Sequence, residues 1–146
     1  MEGVSLTNYK LVLPNYFAFV TVTSRNGEKI SLAYNDSQET YIVSSSYVVF
    51  KVLSDKVYAP YLNIFLNRPE FNRYARYNSW GSAREVFSYD DMCQVKIPIP
   101  DIDVQKSIAN IFKVYNIRKE INEKLKSQIK AICPILIKGS LDESRV

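Results

Sequence analysis

The chain contains no histidine, and only two cysteines, four glycines and one tryptophan in 146 residues. Without histidine it lacks the side chain that most often serves as a general base near neutral pH and most often ligates zinc. Most hydrolase and metalloenzyme readings fail on that ground. Cys93 and Cys133 stand alone, with no metal or redox spacing, and read as reduced, buried thiols that behave as small hydrophobes. No run of about 18 apolar residues exists to span a membrane. The opening MEGVSLTNYK lacks the basic-then-apolar order of a signal peptide. The expectation is a cytoplasmic protein. Internal repeats, low-complexity tracts and a Gly-rich cofactor loop are also missing.

What is present points to a folded chain. At 47% hydrophobic and 23% charged residues the composition is globular, and the length suits one domain with a helical extension. Seven Phe and eleven Tyr supply a core rich in amphipathic rings. The net charge of +4 is unevenly placed: residues 1–102 carry ten Lys/Arg against ten Asp/Glu, residues 103–146 nine against five. Within the balanced part, Arg68, Arg73, Arg76 and Arg84 cluster against Glu70 and Glu85. A basic protein tends to meet polyanions.

Along the chain, Lys10–Leu13 and Tyr16–Thr23 read as strands broken by a Pro14-Asn15 turn. Asn26-Gly27 predicts a tight hairpin, with Lys29–Tyr34 as the returning strand. Thr40–Val52 is the most strand-like stretch, and Ser44-Ser45-Ser46 marks a break or bulge within it. Ser54-Asp55 opens a helical region with Pro60 in its first turn. Glu70–Tyr77 predicts a second short helix, Asn78–Arg84 a loop, Glu85–Phe87 a short strand, and Ser88–Asp91 a turn or one-turn helix. Cys93–Ile97 reads as the last strand.

Pro98 and Pro100 then hold the chain extended, and Asp101 or Asp103 caps a helix, with Gln105 close behind. From Val104 onward apolar residues recur at helical spacing. Ile108, Tyr115, Ile121, Leu125, Ile129 and Ile132 form a stripe whose last three steps, of four, four and three, match a coiled-coil seam. Pro134 predicts the helix end. The expected division is therefore 1–102 for the domain, 103–133 for the helix and 134–146 for a tail. The fold class is α+β: a small mixed or antiparallel sheet domain followed by a long C-terminal coiled-coil-type helix.

Three places could carry binding chemistry. In the loop Asn78–Arg84, Gly81 permits a tight turn, Ser79 and Ser82 can bond phosphate oxygens, Arg84 can pair with phosphate or a guanine edge, and Trp80 can stack on a base. The alternative is a loop packed on its own domain, with Arg84 bridged to Glu85 or Asp90. Arg73 and Arg76 share a helix face beside Tyr74 and Tyr77, as phosphate contact requires, or as any solvated face displays. The hairpin residues Arg25 and Asn26 could reach a groove or simply turn the chain. Asp90-Asp91 is a carboxylate pair, but neighbours on a turn point apart, and an enzyme is not expected.

The ordered set SLAYND (Ser31–Asp36), YIVSSSYVVFKV (Tyr41–Val52), YLNIFLNRPEF (Tyr61–Phe71), GSAR (Gly81–Arg84) and IPIP (Ile97–Pro100), followed by a Gln-containing helix start, resembles specificity (S) subunits of type I restriction-modification enzymes. The likeness covers roughly residues 8 to 133. It implies one target recognition domain, shortened at its N-terminal side, followed by the spacer helix. It further implies a non-catalytic subunit that binds one half of a bipartite site in double-stranded DNA. The helix would dock methyltransferase and restriction subunits, and would pair with a second copy or another S subunit; no membrane contact is expected. No cofactor belongs to this chain: S-adenosylmethionine is expected in the methyltransferase subunit. A second reading, from another class, is an assembly or modulator protein that pairs with an intact S subunit without reading DNA.

Overall fold

The alternation in Tyr16–Val20 sets the fold. In this strand (β2), Phe17 and Phe19 are fully buried on one face while Ala18 turns to the other. A computed structural model describes residues 8–22, 29–82 and 84–143 of the chain, which divides into two compact units, Met1–Ala109 and Asn110–Val146. In the first unit β1 is Lys10–Val12, β3 Leu32–Tyr34, β4 Tyr41–Val43 and β5 Tyr47–Lys51. An antiparallel three-stranded sheet has the order β3-β2-β5, and β1 and β4 pair as a separate antiparallel ribbon.

Register places like with like. Phe17 lies opposite Tyr34 and Phe50, and Phe19 opposite Leu32 and Val48, so one sheet face is continuously apolar. Phe17 and Phe50 stack with ring centroids 5.0 Å apart. Leu66, Phe71, Ala75, Phe87 and Met92 cover that face and complete the core. Burying each of the Phe, Leu and Met side chains among them is worth about 1.5–3 kcal/mol.

Local chemistry explains the turns. Asn15 adopts a positive φ of 65°, which asparagine tolerates better than most residues. Its N–H donates to the Asn35 carbonyl, and Asn35 N–H donates to Tyr16. The buried Asn35 amide is fully used: Nδ2 donates to the carbonyls of Val12 and Glu39, and Oδ1 accepts from Ser37 N–H and Oγ. The break at Ser44–Ser46 separates β4 from β5, with Tyr47 N–H donating to the Ser44 carbonyl.

The first two helices carry a proline at their start, and the second begins at Pro69, one residue before the expected Glu70. α1 (Ala59–Leu66) and α2 (Pro69–Tyr77) each carry Pro in the first turn, where no N–H is needed. α1 begins later than Ser54 because Ser54 forms its own turn, accepting from Lys56 N–H and Val57 N–H. α3 (Tyr89–Cys93) opens with a reciprocal capping box between Ser88 and Asp91. The two Ser88 hydrogen bonds hold the Asp91 carboxyl below its ordinary value. Because the folded value is lowered, this support is present at neutral pH and lost as the pH falls through it.

Several expectations are corrected. Cys93–Ile97 is not a strand: Cys93 ends α3, and residues 95–100 run without a ladder partner. The run's alternation of apolar and polar residues fits a strand, but Val95 packs on the core from a segment that pairs with no strand. The strand expected from Lys29 is confined to Leu32–Tyr34, and that expected at Glu85–Phe87 shrinks to bridges at Val86. Both cysteines are exposed, not buried. Pro134 lies inside α4 (Ile102–Glu143), which continues past it. Proline φ is helical, so what is lost is the bond to the carbonyl four residues earlier.

Gln105 holds the start of α4 to α1. The side chain is wholly buried; Nε2 donates to the carbonyls of Lys56 (2.8 Å) and Pro100 (2.7 Å), and Oε1 accepts from Tyr58 N–H (2.8 Å). Tyr58 is the N-cap of α1 and has no side-chain cap of its own. Tyr61 Oη donates to the Pro98 carbonyl at 2.9 Å, so the proline segment is tied twice. Replacing Gln105 with Ala empties a fully buried position and leaves three part-buried backbone groups without this partner, at about 1–3 kcal/mol for each that water does not reach. Urea unfolding of Gln105→Ala is expected to show a loss of roughly 3 kcal/mol or more, with Gln105→Glu recovering little because it loses the Nε2 donor.

Candidate nucleic-acid interface

α2 buries Phe71 and Ala75, which are four apart on one side. At 100° per residue, Arg73, Arg76 and Tyr77 fall on the opposite side, and all three are exposed. Tyr77 is 86% exposed. Arg73 pairs loosely with Glu70, N to O 3.5 Å, both largely in solvent, a pair worth little in stability. The expected basic–aromatic face therefore exists as a surface. Tyr74 departs from it: its ring packs edge-on to Phe87 and beside Phe71.

The loop after α2 is braced rather than loose. Asn78 Nδ2 and Ser79 Oγ donate to the carbonyls of Tyr74 and Ala75, closing the helix end. Ser79 is thus engaged locally. Trp80 and Val86 exchange both backbone hydrogen bonds, at 3.0 and 2.9 Å. Val86 also bridges Val22, and Phe87 N–H donates to Thr21, so the loop base continues the line of β2. Gly81 has a φ of +136°, and a Cβ there would lie 2.1 Å from the Arg84 carbonyl oxygen. Only glycine fits. This bracing presents Ser82 and Arg84 in solvent and leaves the Trp80 indole 71% exposed.

The structure thus gathers Arg73, Arg76, Tyr77, Ser79, Trp80, Gly81, Ser82 and Arg84 along one helix and the loop that leaves it. Arg25 and Asn26 lie outside the described residues. Val86, whose paired backbone positions Trp80, is not singled out by the sequence because its role is a long-range bridge. Asn72 is another such residue: its Oδ1 accepts from Ile30 N–H at 3.1 Å, tying α2 to the chain entering β3.

The stripe residues are exposed as well. Ile108, in the first unit, is 37% exposed, and within the second unit Tyr115, Ile121, Leu125, Ile129 and Ile132 are each half or more exposed. No helix among the described residues is long and apolar enough to cross a membrane.

No curated protein matches the chain significantly. The model of the type I restriction modification DNA specificity domain matches residues 6–131. That span holds the sheet, α1, α2, the braced loop, the Gln105 joint and most of α4, and by it the chain belongs to the family of type I restriction modification DNA specificity domains.

Proposed function

We propose that this chain reads one half of a bipartite DNA target, and that its helix docks the methyltransferase, and where present the restriction, subunits of the complex. Family membership supports a role in DNA sequence specificity. The observation that carries the finer reading is the exposed Arg73–Arg76–Tyr77 face running into a loop braced by the Trp80–Val86 pair. Phosphate contacts from such arginines position a protein on DNA, while base edges reached from the loop specify sequence. In this reading Arg73 and Arg76 serve backbone contact, and Ser82 and Arg84 stand nearest the groove. The chain itself is non-catalytic, and methyl transfer uses S-adenosylmethionine held by the partner subunit. The exposed stripe of α4 pairs with a second copy or another S subunit, a two-fold copy being the simplest arrangement.

Arg73→Glu, Arg76→Glu and Arg84→Glu are each expected to weaken duplex binding about tenfold or more. Where a phosphate contact is lost, the slope of log K against log salt should fall by about 0.9. Gly81→Ala, which forces the loop off its path, is expected to weaken binding without changing net charge. Fluorescence anisotropy across a salt series measures both quantities.

The deciding experiment is modified-base sequencing of DNA from cells co-expressing the chain with its cognate methyltransferase subunit. A new methylated motif that is an interrupted palindrome is the expected result, each half read by one copy. A complex that forms on a sizing column yet produces no new methylation supports the assembly or modulator reading instead. Paired Ile121→Asp and Leu125→Asp changes are expected to abolish copy-to-copy pairing while leaving the first unit folded, as sedimentation and circular dichroism would show.

A further inference from the structure

Two further cations of the first unit are not among the residues of the face just described. Arg68 and Lys96 border a cavity of about 410 Å³ walled by Phe65, Phe71 and Tyr74, with Gln94 on its rim. The volume falls within the range of small-molecule sites. Phe71 lies against Tyr74 with ring centroids 6.3 Å apart and planes 23° apart, and Phe65 tilts against Phe71 at 6.2 Å. Phe71 is buried beneath the other two, so the ring surface open to the cavity is that of Tyr74 and Phe65. The Arg68 guanidinium sits 4.4 Å from the Phe65 ring centroid, a cation–π position that holds its charge beside the cavity.

The cations there outnumber the carboxylates. Glu70 also borders the cavity, and its carboxylate contacts Arg73 at 3.5 Å. Among the described residues no carboxylate pairs with Arg68 or Lys96. The start of α2 adds to this positive character. Its first helical bond runs from Asn72 N–H to the Arg68 carbonyl, so the amides of Glu70 and Phe71 precede the ladder at the positive end of the helix. A simple anion would use the cations and leave the rings idle; a neutral hydrophobe would do the reverse.

From this pairing we infer that the cavity binds a nucleotide, its phosphate taken by Arg68, Lys96 and the first turn of α2, and its base by the rings of Tyr74 and Phe65. Base–aromatic stacking and charge-assisted hydrogen bonds then act together. The nucleotide is either free or an unpaired nucleotide of a DNA strand. The inference does not depend on DNA reading by the Arg73–Arg76 face.

Calorimetric titration of the full chain with adenosine monophosphate tests it, with inorganic phosphate as the second probe. Saturable binding of the nucleotide is expected, at least tenfold tighter than phosphate. Arg68→Ala combined with Lys96→Ala, both at exposed positions, should weaken it at least tenfold. Tyr74→Leu, which keeps an apolar side chain but removes the ring, should weaken it severalfold, and Lys51→Ala on β5 should leave it unchanged. A duplex carrying one unpaired adenosine distinguishes the sources. Tighter binding than its fully paired counterpart, lost in the Arg68/Lys96 variant, assigns the site to a DNA strand; nucleotide binding without that preference assigns it to free nucleotide. Phosphate binding as tightly as the nucleotide overturns the inference, as does the lack of both nucleotide binding and bulge preference.

Discussion

One buried amide holds the recognition unit in register. Gln105 lies in the first turns of α4, yet its partners belong to the segment entering α1 and to the prolines before α4. A glutamine in an apolar core is costly unless its donors and acceptor are matched. Here both Nε2 hydrogens and one Oε1 lone pair are matched, and the side chain replaces the missing N-terminal cap of α1. α1 leads directly to α2, which carries the arginine–tyrosine face, so the position of that face traces back to this joint. Tyr61 supports it from the other side by holding Pro98.

The second constraint is the bracing of the loop after α2. A large exposed aromatic such as Trp80 gains nothing from folding, since its indole stays in water. Its backbone is nevertheless fixed by two hydrogen bonds to Val86, which is itself bridged to Val22. Gly81 then turns the chain where any Cβ would collide with the Arg84 carbonyl. Ordering an exposed loop costs backbone entropy that contacts within the loop do not return. Spending it before any ligand arrives lowers the cost of binding later.

Much of this was legible in the sequence because it is local. The strand around Phe17 and Phe19, the Pro60 in the first turn of a helix, the short helix after Pro69 and the one-turn helix at Ser88–Asp91 depend on neighbours within a few residues. Gly81 as the pivot of the loop is local as well. What the sequence conceals is pairing over distance. The separate β1–β4 ribbon, the Val22–Val86–Trp80 bridges and the reach of Gln105 to Lys56 leave no periodic trace. A glutamine four residues after Asp101 reads as part of a cap because capping glutamines occur at nearly that spacing. The Cys93–Ile97 run misleads for another reason: its alternation of apolar and polar residues fits a strand, and only the tertiary arrangement denies it a ladder partner. Pro134 misleads because proline is a poor helix former but not an absolute stop.

The distribution of charge bears on how such a unit could discriminate between sequences. Residues 1–102 carry equal numbers of acidic and basic residues, and the whole surplus of +4 falls in residues 103–146. At physiological ionic strength the Debye length is about 8 Å, so exposed charges act mainly on what touches them. A recognition unit with no net charge gains little from a polyanion by long-range attraction. Its binding would rest on the few arginines that meet phosphates and on the loop that meets bases. That arrangement keeps sequence-independent affinity low, and specificity is the ratio of specific to non-specific binding. The cations of α4 would then serve a separate purpose, favouring encounter with DNA or with acidic partner surfaces without selecting among sequences. Under this division the balanced charge of the first unit favours selectivity over raw affinity.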